Sequence, residues 1–133
     1  MHIITINSES LFQALSDNTR LRIVRLLATT GQEICLCELV DALLEPQYKL
    51  SRHLKALRQA GLLTSQKDGR WVYHRLAEKP DYLNQLYTLV CSLPDTNEIY
   101  GTDLKHFNNR MKLREDGRCR VGILSDDLKV EAK

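Results

Sequence analysis

No stretch of this sequence stays apolar for the roughly 20 residues that a membrane-spanning helix needs, so no membrane partner is expected. The opening residues, MHIITINSES, lack a basic segment followed by an apolar one. That argues against a secretory leader and gives the cytoplasm as the expected address. In a reducing compartment the four cysteines, Cys35, Cys37, Cys91 and Cys119, are thiols, better suited to ligand or redox chemistry than to structural bridges. Internal repeats, low-complexity segments and Gly-rich nucleotide loops are all missing. So are the Cys-x5-Arg spacing of a phosphate-cradling nucleophile and the Cys-x-x-Cys of a thiol-redox enzyme. Neither an enzyme nor an organic cofactor is expected.

Acids are scarce in the middle of the chain. From Gln47 to Arg75 the single acid Asp68 faces seven cations, Lys49, Arg52, Lys55, Arg58, Lys67, Arg70 and Arg75, although the whole chain carries only +2. Other acids gather towards the ends, as at Glu9, Asp17 and Glu131. A localised basic patch on a near-neutral protein is the footprint of phosphate binding, whereas a merely solvated face mixes both signs.

What is present is mainly helical. At 133 residues with 43% hydrophobic content, one domain with a modest core is expected. Leu11, Phe12 and Leu15 mark a first helix over residues 8–16 with Ser8 as a cap. Ile23, Val24, Leu26 and Leu27 mark a second over residues 20–29, ended by Gly31. Leu36, Leu39, Val40, Leu43 and Leu44 give a third that stops before Pro46, which suits the start of the next. In that next helix Leu50, Leu54 and Leu57 form an inward face until Gly61, leaving the basic side chains outside. Two short helices joined by a tight turn, the second basic on its outer face, read as helix-turn-helix.

The pattern then changes. Residues 62–66 and 71–76 flank Lys67-Asp68-Gly69-Arg70, a hairpin signal with Lys67 and Arg70 at its tip, placed as a wing. The expected fold is therefore mainly α with a small β-hairpin wing, a winged helix-turn-helix. Residues 80–93 give another apolar helix, which with the first is expected to build a homodimer. Residues 1–94 are taken as the DNA-binding and dimerisation domain. Residues 95–133 form a C-terminal extension carrying Cys119, with a short helix over 103–114 and a frayed polar tail over 125–133.

The most distinctive chemistry is Cys35-Leu36-Cys37. Residues two apart on an α-helix point about 200° away from each other, so one ion shared by both thiols requires the first turn of that helix to distort. Soft thiolates select Cu(I), Zn, or the metalloids As(III) and Sb(III).

Four segments carry a resemblance: LSDNTRLRIVRLL (Leu15–Leu27), EICLCELV (Glu33–Val40), LSRHLKALRQAGLL (Leu50–Leu63) and KDGRWVYHRL (Lys67–Leu76). In this order they resemble the arsenic-responsive repressors of the ArsR/SmtB family. The resemblance implies a homodimeric winged helix that sits on double-stranded operator DNA and leaves it when a metal ion or metalloid binds. It puts Gln47, Tyr48, Ser51 and Arg52 at DNA-facing positions, to which Lys49, His53, Lys67 and Arg70 are added. The arsenic branch shows Cys-x-Cys-x-x-Cys. Here Cys35 and Cys37 match while the third position is Val40. Either solvent or a small thiol completes a two-thiolate site, or Cys119 is recruited from the same or the other subunit, its arginine neighbours lowering its thiol pKa. Cys119 ranks above Cys91 as third ligand. Asp81-Tyr82-Leu83 lacks the histidine of the family's zinc sensors. The expected function is a repressor released by As(III) or Sb(III), with a thiol-redox-sensing repressor on the same scaffold as the alternative.

Overall fold

The computed structural model describes residues 6–125; apart from Ser125, the tail expected over 125–133 lies outside them. Short polar residues punctuate the first helices. Helix α1 (Ser8–Leu15) is capped by Asn7, not Ser8, through a 3.0 Å bond from the Ser10 N–H to Asn7 Oδ1. Helix α2 (Asn18–Thr30) starts earlier than its apolar face suggested, because Asp17 Oδ1 accepts the Arg20 N–H at 3.0 Å. Gly31, at φ 67°, closes it.

A two-residue strand, β1 (Ile34–Cys35), then leads directly into α3 (Leu36–Leu43). Leu44 (φ 55°), Glu45 and Pro46 turn the chain into α4 (Gln47–Gln59). Leu50, Leu54 and Leu57 of α4 are buried, each contributing roughly 1.5–3 kcal/mol by leaving water. The helix ends in a Schellman motif: Leu62 N–H donates to Leu57 O at 2.9 Å and Gly61 N–H to Arg58 O at 3.0 Å, with Gly61 at φ 86°.

Strands β2 (Leu63–Asp68) and β3 (Trp71–Leu76) pair antiparallel around Gly69-Arg70. The expected two-stranded hairpin is in fact part of a three-stranded sheet, ordered β1-β3-β2, with Cys35 opposite Tyr73. Helices α3 and α4 with this hairpin make a winged helix-turn-helix. Helix α5 (Tyr82–Ser92) packs on α2. Helix α6 (Ile99–Met111) begins before Asp103 because the Asp95 carboxylate accepts the N–H groups of Tyr100 and Gly101 at 3.0 and 2.9 Å. It packs chiefly on α3 and puts Phe107 into the same core as Ile23, Leu39 and Leu83. Arg22 of α2 reaches Asp103 of α6 through two bonds of 2.9 and 2.8 Å, and also the Leu43 carbonyl at 2.7 Å. Among the described residues no buried side-chain nitrogen or oxygen lacks a partner. None of their helices is long and apolar enough to cross a membrane.

His74 of β3 is buried beside Ser65, whose Oγ lies 2.9 Å from its Nδ1. Burial, aided by the Arg58 charge, pushes its pKa down to about 4. Between that value and the ordinary 6.5, the unfolded chain binds a proton that the native chain refuses. Stability is therefore full above pH 6.5 and falls as pH drops towards 4, by on the order of 3 kcal/mol. Urea midpoints of the wild type and of His74→Gln at pH 7, 5.5 and 4.5 test this; the variant should show a shallower loss, and parallel curves would contradict it.

Candidate functional site

Cys35 ends β1 and caps α3 in extended conformation, at φ −83° and ψ 156°. Its N–H donates to Glu38 Oε1 at 2.9 Å, while its sulfur faces the Glu38 N–H, a capping box built on a thiol. Cys37 lies in the first turn of α3. This arrangement corrects the expectation that helical geometry separates the two thiols. One residue is extended and the other helical, and the sulfurs of both lie near that of Cys119.

Cys119 joins them from the C-terminal arm, its Sγ 3.6 Å from that of Cys37. The sulfurs of Cys35 and Cys119 and a Glu38 carboxylate oxygen all lie within 4.8 Å of one another. The arm is fixed by named bonds. Arg114 grips Glu38 with Nε to Oε2 and Nη2 to Oε1, both at 2.8 Å, and reaches the Glu33 carbonyl at 2.8 Å. Tyr73 Oη accepts the Cys119 N–H at 2.8 Å. Arg110, paired with Asp41 at 2.7 Å, holds the carbonyls of Val121 and Gly122 at 2.6 and 2.9 Å. Asp41 also accepts the N–H groups of Leu124 and Ser125, each at 3.1 Å. Tyr73 and Trp71 pack around the thiols.

The three sulfurs differ in proton affinity. The neighbouring Cys35 thiol, with help from Cys119 and the Arg110 charge, lowers Cys37 to about 7 against the effect of burial. Cys35 is pushed far up, first by the neighbouring Cys37 sulfur and then by burial. Cys119 rises to about 11, first through burial and then through the Glu38 charge. The expectation that arginine neighbours lower Cys119 is thus overturned. Arg118 pairs with Glu33 and Asp68 and lies 3.9 Å over the Tyr73 ring. Arg120 donates to the Cys119 carbonyl at 3.1 Å. Neither cation is bonded to the sulfur, and desolvation wins. Both Glu38 oxygens are already engaged by Arg114 and Cys35 N–H, so the free donors are three soft sulfurs. Val40 is fully buried in the core, and Cys91 stands apart on α5 with Thr29 Oγ1 at 3.6 Å.

Beside the thiols lies a groove between α4 and the wing, lined by Cys35 and Cys37, by Gln47, Ser51 and Arg58, and by Arg70 and Trp71. Tyr48, Ser51 and Arg52 are exposed on α4, the Arg52 guanidinium 5.7 Å from the Tyr48 ring centre. Lys49 is half-buried and pairs with Glu45 at 2.8 Å. Lys67 and Arg70 are exposed on the wing, Arg70 lying 5.2 Å from the Trp71 ring centre. His53 departs from the expected outward set. It is half-buried and its Nδ1 accepts from Arg20 Nε at 3.2 Å, joining α4 to α2. Burial holds its pKa below the ordinary value.

The residues that shape the thiol cluster without having been singled out are Glu38, Tyr73, Arg110 and Arg114. Only Glu38 carried a signal in the sequence, its capping-box spacing after Cys35. Arg58, which lines the groove, sits at helical spacing from Ser51.

The family of bacterial regulatory proteins named arsR matches residues 17–65. Over 82 residues the chain is 44% identical to the arsenic resistance transcriptional regulator ArsR2 of Pseudomonas putida, a match covering 61% of this chain and 70% of that protein. Over 67 residues it is 52% identical to the arsenical resistance operon repressor of Escherichia coli, covering 50% of this chain and 56% of that one. An uncharacterized HTH-type transcriptional regulator of Methanocaldococcus jannaschii is 36% identical over 83 residues, or 62% of this chain and 90% of its own length. Residues 17–65 take in α2, β1, α3 and α4, the elements that hold the Cys-x-Cys pair and the basic helix, and the chain belongs to the arsR family of bacterial regulatory proteins.

Proposed function

We propose that this chain is an arsenic-responsive transcriptional repressor. As a homodimer it holds operator DNA through α4 and the wing, and it is released when As(III) or Sb(III) is taken by Cys35, Cys37 and Cys119 of one subunit. The observation carrying this reading is the convergence of the three thiols beside the groove between α4 and the wing. The printed names of two relatives, an arsenic resistance regulator and an arsenical resistance operon repressor, support the choice of inducer. Phe12 on α1 and Leu89 on α5, apolar side chains exposed among the described residues, support the dimer.

The chemistry follows from the donor set. Arsenious acid exchanges three hydroxyls for three sulfurs, and three waters leave with the three thiol protons. Cys37, the most acidic of the three, makes the first bond; Cys35 and Cys119 surrender their protons to departing hydroxyls. Three sulfurs without an imidazole suit a thiophilic metalloid better than the usual zinc sites. The coupling to DNA follows from where each thiol is anchored. Cys35 sits on β1, which is hydrogen-bonded to the wing strand β3. Cys37 sits on α3, which feeds through residues 44–46 into α4. Drawing both sulfurs and Cys119 onto one centre shifts the wing against the reading helix, so a duplex gripped by both loses its fit.

Cys35→Ser and Cys37→Ser should leave DNA binding intact and abolish arsenite-induced release in a mobility-shift titration. Cys119→Ser should demand roughly tenfold more arsenite, a loss of about 1.4 kcal/mol. A normal arsenite response in all three variants would place the sensor elsewhere. On the DNA side, Arg52→Ala should weaken binding to the region upstream of the protein's own gene by about 1–3 kcal/mol with arsenite uptake unaltered. With roughly six to ten phosphates neutralised per dimer, wild-type affinity should fall about 10³–10⁵-fold between 50 and 200 mM salt. A flat salt dependence would count against the basic face as the DNA contact.

A further inference from the structure

The Cys37–Cys119 pair has a geometry that metalloid capture does not require. Its sulfurs touch at 3.6 Å with nothing between them, and closing them to a disulfide at about 2.05 Å needs only side-chain rotation and a small shift of the arm. The two thiols are unequally placed. Cys37 is partly buried and Cys119 has no solvent exposure, so one is within reach of a small oxidant and the other is sheltered as its resolving partner. Cys35, also buried, holds its place by capping α3 and by pairing across to Tyr73.

We propose that Cys37 and Cys119 form a reversible intramolecular disulfide under hydroperoxide, and that this bond makes the sensor deaf to metalloid while the protein stays on DNA. The proposal rests on the arsenite reading above and adds a regulator to that same site. The Cys37 sulfur, as thiolate, attacks one peroxide oxygen; the O–O bond breaks, leaving a sulfenic acid and hydroxide. The Cys119 sulfur then displaces the sulfenic oxygen, its thiol proton leaving with that oxygen as water. In sum, two thiols and one hydrogen peroxide give one disulfide and two waters, the sulfurs being oxidised and the peroxide reduced. Two of the three donors are then lost to arsenite. The bond joins the first turn of α3 to an arm already lying along α3, and it leaves the β1–β3 pairing of Cys35 alone. The wing is not pulled, and the α4–wing grip on DNA is kept.

The test uses the reduced full-length protein treated with one equivalent of hydrogen peroxide. Titratable thiols should fall from four to two, and peptide mapping should link Cys37 to Cys119 within one chain. Trp71, the sole tryptophan, packs against the cluster, so its fluorescence reports arsenite binding. That response should disappear on oxidation and return with dithiothreitol, while affinity for the upstream DNA changes less than about twofold. Cys91→Ser should behave as wild type. Cys119→Ser, checked for an unchanged unfolding midpoint, should form no disulfide within the chain. A bond to Cys35 or Cys91, a bond between chains, persistent arsenite uptake by the oxidised protein, or DNA release on oxidation alone would each overturn the proposal. If the reduced protein ignores arsenite yet forms the Cys37–Cys119 bond, the arsenite reading falls while the disulfide is upheld.

Discussion

The contact on which the thiol cluster depends is the buried pair of Glu38 and Arg114. Glu38 is inaccessible to solvent, and its two oxygens take two bonds from the guanidinium and one from the Cys35 N–H. A buried ion pair of this kind is a poor source of net stability, because desolvating both charges offsets most of their attraction. Its value here is positional. The carboxylate fixes the start of α3 and the orientation of Cys35, and the guanidinium pins the arm that brings Cys119. With the pair broken, an uncompensated charge would remain under the thiols and the arm would lose its main anchor on α3.

The electrostatics of the chain divide accordingly. Among the described residues, the cations on the outer face of α4 and on the wing have no acidic partner apart from the Lys49–Glu45 pair. Three arginines of α6 and the arm are internally matched: Arg110 with Asp41, Arg114 with Glu38, and Arg118 with Glu33 and Asp68. Counting charges along the chain does not separate these two populations; their partners do. The same reasoning explains the thiols. Cys119 has arginines on both sides in sequence, but one is neutralised by two acids and the other bonds the backbone, so burial sets its proton affinity.

Much of the fold was legible because local signals agreed. The leucines of α4, the stop at Gly61 and the Asp68-Gly69 turn all specified what the structure contains. Strand β1 was not legible. Two residues carry no periodicity, and their strand character comes from pairing with β3, far along the chain. That omission had a chemical consequence, since placing Cys35 on a helix made the two neighbouring thiols look incompatible with one ion. For His53, half-buried in the structure, position on α4 alone does not name Arg20 as the partner of its ring. The third sulfur could be named from the cysteine inventory, but only the packing of the arm brings it to the pair.

The sulfurs of Cys37 and Cys119 belong to residues 82 apart in the chain. Any bond joining them, direct or through a shared ion, closes a loop of most of the folded protein. In chain-entropy terms a tie that persists in the unfolded chain removes about 4–5 kcal/mol of conformational freedom from that ensemble; a ligand held only by the folded chain stabilises by mass action instead. On the proposed reading a ligated chain is harder to unfold than the free one, so occupancy of the thiols would show as resistance to denaturation and proteolysis.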